Sequence, residues 1–234
     1  MTQTQNKVKT INPTQDYKFQ NLSSLTKALL VLLYIGIFFS ALSILDSIMN
    51  YNLYSSAQYF DISDEEIFNN DMRTTVIAAI ASLFYIATVV VFLIWINKAN
   101  KNSRALGAQN MQFTPGWCVG WWFIPIALWW KPYQAVREVW KTSQDAGNWQ
   151  IQENSVVSLW WTLWIISAIV SQIIYQWSMS LYSSYNATWL DYQNIELAWI
   201  FTCIFEIVLS FVFIKMIREI FNKQLTQFQN QSQG

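Results

Sequence analysis

Four apolar stretches of about 20 residues, separated by loops of alternating charge, constrain this chain more than anything else in it. They run 28–48, 74–96, 156–177 and 195–214. At ~1.5 Å of rise per residue, each reaches across a hydrocarbon core roughly 30 Å thick. The fold class that follows is all-α, an integral membrane four-helix bundle. Basic residues set its threading. Of the 14 Lys and Arg, only Arg73 falls in a loop on the side away from the termini. Lys7, Lys9, Lys18 and Lys27 precede the first stretch. Lys98, Lys101, Arg104, Lys131, Arg137 and Lys141 lie between the second and third, and Lys215, Arg218 and Lys223 follow the fourth. Arg73 sits among Asp61, Asp64, Glu65, Glu66 and Asp71, and the other loop on its side has Asp191 and no base. Cytoplasmic loops are enriched in Lys and Arg, so both termini are expected inside. A formal net charge of zero conceals this asymmetry. With 53% hydrophobic and 12% charged residues, the chain departs from the soluble average of about 25% charged in the same direction.

Three parts are expected: a polar cytoplasmic tail over 1–22, a four-span membrane domain over 23–221, and a loose Gln/Asn-rich tail over 222–234. The first 22 residues hold no apolar h-region and no small-residue cleavage site, so the first span is read as an uncleaved insertion signal. Absences narrow the chemistry. Without histidine there is no Ser-His-Asp or Cys-His mechanism and no imidazole ligation of zinc or haem. Cys118 and Cys203 are far apart and at different expected depths, which speaks against a disulfide, and no Cys-x-x-Cys or Walker loop is present. No cofactor or metal is expected. Asn186, Ala187 and Thr188 spell a glycosylation sequon, a pattern that arises often by chance. The acidic run over 61–66 lacks the spacing and glycine of an EF-hand loop and reads as a solvated face. Asp71 is read as the N-cap of the second span, and Asp46 as a snorkelling or capping residue near the end of the first.

The most unusual stretch runs from 107 to 141. It holds Pro115, Pro125 and Pro132 out of four prolines, and Trp117, Trp121, Trp122, Trp129, Trp130 and Trp140 out of 14 tryptophans. Residues 117–130 make ~21 Å of helix, too short to cross; bases flank both sides, and Pro125 interrupts the helix midway. An interfacial or re-entrant segment over 115–141 is expected. Thr114 caps a first turn starting at Pro115, and Pro132 starts a second short helix. That helix puts Pro132, Val136, Val139 and Trp140 on one face and Gln134, Arg137, Glu138 and Lys141 on the other, as an amphipathic helix on the membrane surface would. Its readings are a plug and lipid anchor at the inner end of the bundle, a re-entrant loop lining a substrate or ion path, or a partner-docking surface.

The run RALGAQNMQFTPGWCVGWWFIPIALWWKPYQAVREVWKTS, with SLWWTLWIIS opening the third span, resembles a bacterial membrane family known only as domain of unknown function 4328. Trp117, Trp121, Trp122, Pro125, Lys131, Pro132, Tyr133, Gln134, Arg137 and Glu138 carry the likeness. The chain departs from the family's pattern at Ala127, where asparagine is usual. The resemblance implies a location, the bacterial cytoplasmic (inner) membrane, and a fold, and brings no activity.

Inside the spans, Glu206 lies near the expected bilayer centre, where an acid costs about 2.5–3.5 kcal/mol. Trp199, Thr202, Cys203, Glu206 and Ser210 share one helix face. Trp160, Trp164, Ser167, Ser171 and Tyr175 form a matching stripe in the third span. Gly36, Ser40, Ser43 and Ser47 in the first span and Ala78, Ser82 and Tyr85 in the second are small or polar seams. Glu206, Thr202, Ser210, Ser167 and Ser171 therefore form a candidate intramembrane polar site. It is either a core hydrogen-bonding group or a proton or cation site.

Three functions are compatible with these residues. The first is a non-enzymatic membrane module that packs with itself or with a membrane partner. The second is a small oligomeric channel or proton- or ion-coupled transporter using Glu206 and the re-entrant segment. The third is a membrane enzyme acting on lipids. The lipid bilayer is the first expected partner and a second copy or a membrane protein the next; nucleic acid is not one.

Overall fold

The structure is a computed structural model that describes residues 17–233, so most of the N-terminal tail, with Lys7 and Lys9, and the final residue lie outside the described residues. Every regular element among the described residues is helical. Four helices are long and apolar enough to cross a membrane: α1 (Ser23–Ser56), α2 (Asp64–Ala105), α5 (Ser155–Tyr182) and α6 (Trp189–Gln233). They mark a multi-pass membrane protein. A one-turn α3 (Trp117–Gly120), 3-10 turns at Trp121–Phe123 and Ala127–Trp129, helix α4 (Lys131–Gln144) and a 3-10 turn at Trp149–Ile151 fill the link between α2 and α5.

All four helices outrun the apolar stretches that predict them. At ~1.5 Å per residue, the 42 residues of α2 and the 45 of α6 extend ~63 and ~68 Å, about twice the hydrocarbon thickness. Local chemistry sets their ends. Ser63 caps α2 and Glu66 reaches back to the Ser63 amide, a reciprocal box that satisfies two free N–H groups. Asp71, expected as the cap, instead lies two turns inside the helix. At the other end Gly107 adopts φ +98°, and the Gly107 and Ala108 amides donate back to the Arg104 and Ser103 carbonyls. This Schellman arrangement ends the helix where only glycine avoids strain. Thr188 and Asp191 form the equivalent box at the start of α6.

The spans lie in the order α2, α1, α6, α5, with α1 packed between α2 and α6, and α5 against the far side of α6. Helix α4 wedges between α2, α5 and α6 at the end that carries the termini, called here the basic end. The hydrophobic core sits there: Leu29, Trp95, Ile96, Ala99, Cys118, Val136, Val139, Val157, Met216, Ile217 and Ile220 are sealed from solvent. Toward the other, acidic end, the spans turn most of their apolar surface outward. Only 11% of the residues in the most apolar window of α1, α2 and α6 are buried by protein, which leaves lipid to complete the cover.

Two expectations need correction. The Gln/Asn-rich tail is not loose, because α6 continues through it to Gln233. Its glutamines at helical spacing find backbone partners: Gln224 donates to the Ala99 carbonyl, Gln227 to the Thr142 and Ser143 carbonyls, and Gln231 to the Leu106 carbonyl. The Thr142, Ser143 and Leu106 carbonyls lie at the C-termini of α4 and α2, where intrahelical donors run out, while Ala99 lies about a turn and a half inside α2. Helix α4, expected to lie on a membrane surface, is buried over most of its circumference, including Ala135, Glu138, Thr142 and Ser143.

Candidate functional site

The family-like segment builds a plug. Thr114 accepts the Trp117 amide, as its capping position predicts. Trp117 and Trp121 pack with ring centroids 4.6 Å apart, and a Cβ at Gly120 would come within 3.1 Å of the Trp117 ring. Trp122 meets Phe92 edge-on at 5.6 Å and also touches Trp161 and Trp164. Phe92 in turn contacts Trp95, Trp160 and Phe213, so one ring from α2 gathers aromatics from the link, α5 and α6. Pro125 separates the two 3-10 turns at the surface, and Trp117, Phe123, Ile126, Trp129 and Trp130 form an exposed apolar rim. Lys131 lies over the Phe113 and Trp121 rings, and Pro132 occupies the first turn of α4, where its missing N–H is harmless. Tyr133 shares hydrogen bonds with Ser158 and Asn154, and Arg137 lies 5.4 Å over the Tyr133 ring. Gln134 is half-buried.

Glu138 is the hinge of this plug, and a helical-wheel reading puts it on the wrong face. Its carboxylate is 4% exposed and accepts the Gln112 amide at 2.6 Å and the Phe113 amide at 3.1 Å. The irregular backbone over 109–116 has no ladder of its own, so a buried acceptor completes it. Asn100 and Arg104 both donate to the Phe113 carbonyl, and Asn97 to that of Pro115. Burial pushes Glu138 above the usual carboxylate range, although the two amides and the nearby Arg104 and Arg137 pull the other way. Burial, reinforced by the Glu138 charge, pushes the neighbouring Cys118 thiol up to about 12.

The predicted intramembrane site is not drawn into one network. Thr202 is buried and donates back to the Ala198 carbonyl of its own helix, while Ser167 is buried in α5. Ser171, Glu206 and Ser210 are half-buried, and no hydrogen bond among the described residues joins Glu206 to any of these groups. Tyr85 of α2 and Cys203 are close enough to feel its charge.

A network does form at the acidic end, from residues a residue-by-residue reading leaves scattered. Arg73 pairs with Asp46 and donates to Asn50 and Asn70, each at 2.7 Å. Thr74 donates to the second Asp46 oxygen at 2.8 Å, and Asn50 reaches Glu196 at 3.3 Å. Asp46, Asn50, Asn70 and Glu196 are all buried. One guanidinium thus ties α2 to α1, and Asn50 extends the network to Glu196 of α6. The signal was present as i, i+3 or i, i+4 polar pairs at one end: Asp46 and Asn50, Asn70 with Arg73 and Thr74, and Gln193 with Glu196. Among the described residues no three Cys, Asp or Glu side chains converge as a metal site.

A family model described as domain of unknown function (DUF4328) matches residues 60–222, from the loop before α2 to α6. No curated protein and no solved structure matches the chain.

Proposed function

This chain belongs to the DUF4328 family, and from that premise we propose that it is a non-enzymatic module of the bacterial cytoplasmic membrane. Both termini lie in the cytoplasm, and the module works by packing against a second copy or a membrane partner. One observation carries the reading: most of the residues that define the family likeness are engaged in packing within the fold, with Trp117 and Pro125 left at the surface. Trp122, Lys131, Tyr133 and Glu138 contact other parts of the plug instead of lining an open cavity. The exposed rim of Trp117, Trp129 and Trp130 suits the headgroup level, where an indole keeps its ring apolar and its N–H wet. The uncovered flanks of the spans supply the lateral surface. Cross-linking in native membranes, followed by purification of the full chain, tests the module. A discrete homo-oligomer or a reproducible membrane partner is expected, and a monodisperse monomer with no neighbour contradicts it.

A second reading, a proton- or ion-coupled transporter, is favoured by Glu206, a mid-span acid with no hydrogen-bond partner among the described residues. Proton flux in proteoliposomes that disappears with Glu206→Gln would replace the first reading with this one.

A further inference from the structure

Outside the Arg73 network, the acidic end holds a cavity of about 320 Å³ between the ends of α1, α2, α5 and α6. Its wall includes four aromatic side chains, Tyr54, Tyr182, Trp189 and Tyr192. Their centroids are 5.5 to 6.1 Å apart: Tyr54 to Tyr192 5.5 Å, Tyr182 to Tyr192 5.8 Å, Trp189 to Tyr192 6.0 Å and Tyr54 to Trp189 6.1 Å. Trp189 lies nearly parallel to Tyr54, whereas Tyr192 is tilted by 41° to Tyr54 and 56° to Tyr182. The four rings form one packed aromatic cluster along the cavity, with Tyr54 and Trp189 stacked, Tyr192 tilted between its neighbours and Tyr182 the most exposed.

Asp71 and Asn70 add polar groups to the lining, and Leu53, Ile62, Ile67 and Ala187 make up the rest. Asn70 is held by Arg73, while Asp71 makes no hydrogen bond or ion pair among the described residues. Of the carboxylates on the packed helix ends, Asp46 is committed to Arg73, Asp191 to the α6 cap and Glu196 to Asn50, while Asp61, Asp64 and Glu65 of the preceding loop and first turn lie exposed outside the lining. Arg73 is the only base in the two loops and their flanking helix ends, and it is already engaged. A carboxylate with no internal counter-charge, beside electron-rich ring faces, attracts an organic cation that water holds only loosely.

We propose that this cavity binds an alkylated ammonium cation, with Asp71 supplying charge and the Tyr54, Tyr182, Trp189 and Tyr192 rings enclosing the alkyl groups. Aromatic residues at helix ends also form interfacial belts, but belt rings face lipid, and these four share one cavity with a carboxylate. The cation is either free in solution or the headgroup of a choline-type lipid. The proposal is independent of whether the module self-associates.

The full chain in detergent is titrated by calorimetry with tetramethylammonium chloride against sodium chloride of equal ionic strength. In parallel, nanodiscs of phosphatidylcholine or phosphatidylglycerol are opened in a mass spectrometer and the retained lipid is counted. Saturable tetramethylammonium binding weakened at least tenfold by Asp71→Asn, kept by Tyr192→Phe and lost with Tyr192→Leu, supports a free cation. Selective phosphatidylcholine retention with the same variant pattern supports a headgroup. Binding of neither probe overturns the proposal, and so does binding that Asp71→Asn leaves unchanged. Asp71 is exposed on α2, so its variant reports on the site even if Tyr192→Leu fails to fold.

Discussion

At the basic end Glu138 receives two backbone amides and Gln224, Gln227 and Gln231 donate to backbone carbonyls, whereas at the acidic end Asp46, Arg73, Asn50 and Glu196 bond chiefly to one another. The difference follows from chain regularity. Between Ala105 and Lys131 the backbone is mostly irregular, so its N–H and C=O groups lack helical partners and long polar side chains must reach them. At the acidic end, short loops join helices that are regular almost to their ends. Polar side chains there are free to pair across helices or to line a cavity. One end is a packed plug and the other a charged, partly open cup.

That contrast breaks most sharply at Arg73. Removing it with Arg73→Ala strands the buried Asp46 carboxylate and should cost about 3 kcal/mol, the low end of the range for breaking a buried pair because the guanidinium is 31% exposed. Thermal unfolding in detergent reads it, and Arg73→Lys should recover only part, since an ammonium cannot hold Asp46, Asn50 and Asn70 in one fork. A loss confined to the basic end would contradict the division.

Next in size is Glu138→Ala, which leaves the Gln112 and Phe113 amides without their acceptor and should cost about 2 kcal/mol. It also opens the plug locally. Cys118 is fully buried and its thiol stays protonated, so maleimide at neutral pH should spare it in the native chain and modify it in the variant. The same carboxyl carries a pH dependence. Folding raises its pKa, so the folded chain holds more protons than the unfolded one just above pH ~4.3. Stability from this group is therefore greatest below that value and falls as pH rises through the folded pKa. Glu138→Gln should flatten that slope.

The smallest effect is at Gln227, which serves two α4 carbonyls and accepts the Ala146 amide. Gln227→Ala should cost about 1 kcal/mol and raise hydrogen exchange over Thr142 to Ala146 without touching the acidic end. An equal rise in α1 would mean that the two ends are one cooperative unit.

Much of the fold was legible because a membrane span needs a long apolar run, and that signal is strong and local. The link between α2 and α5 was legible as a Trp-rich segment without a span-length helix and capped at Thr114, because its prolines interrupt any long helix. The role of Glu138 was not, since a helical wheel separates apolar from polar residues and cannot anticipate a carboxylate buried to hold another segment's amides. Gln224, Gln227 and Gln231 were hidden in the same way: a polar tail reads as disorder until the carbonyls it caps are in view. Arg73 stood out by charge count alone, yet its partners Asp46 and Asn50 lie on another helix, and Glu196 is linked in from a third through Asn50, so only packing brings them together.

Hydrogen exchange of the full chain in nanodiscs tests the division of labour most directly. Amides of Gln112, Phe113 and α4 should exchange far more slowly than those of the loop from Ala57 to Ser63, although neither region belongs to an apolar span. Equal, fast exchange in both would mean that the plug is not packed and would contradict the account.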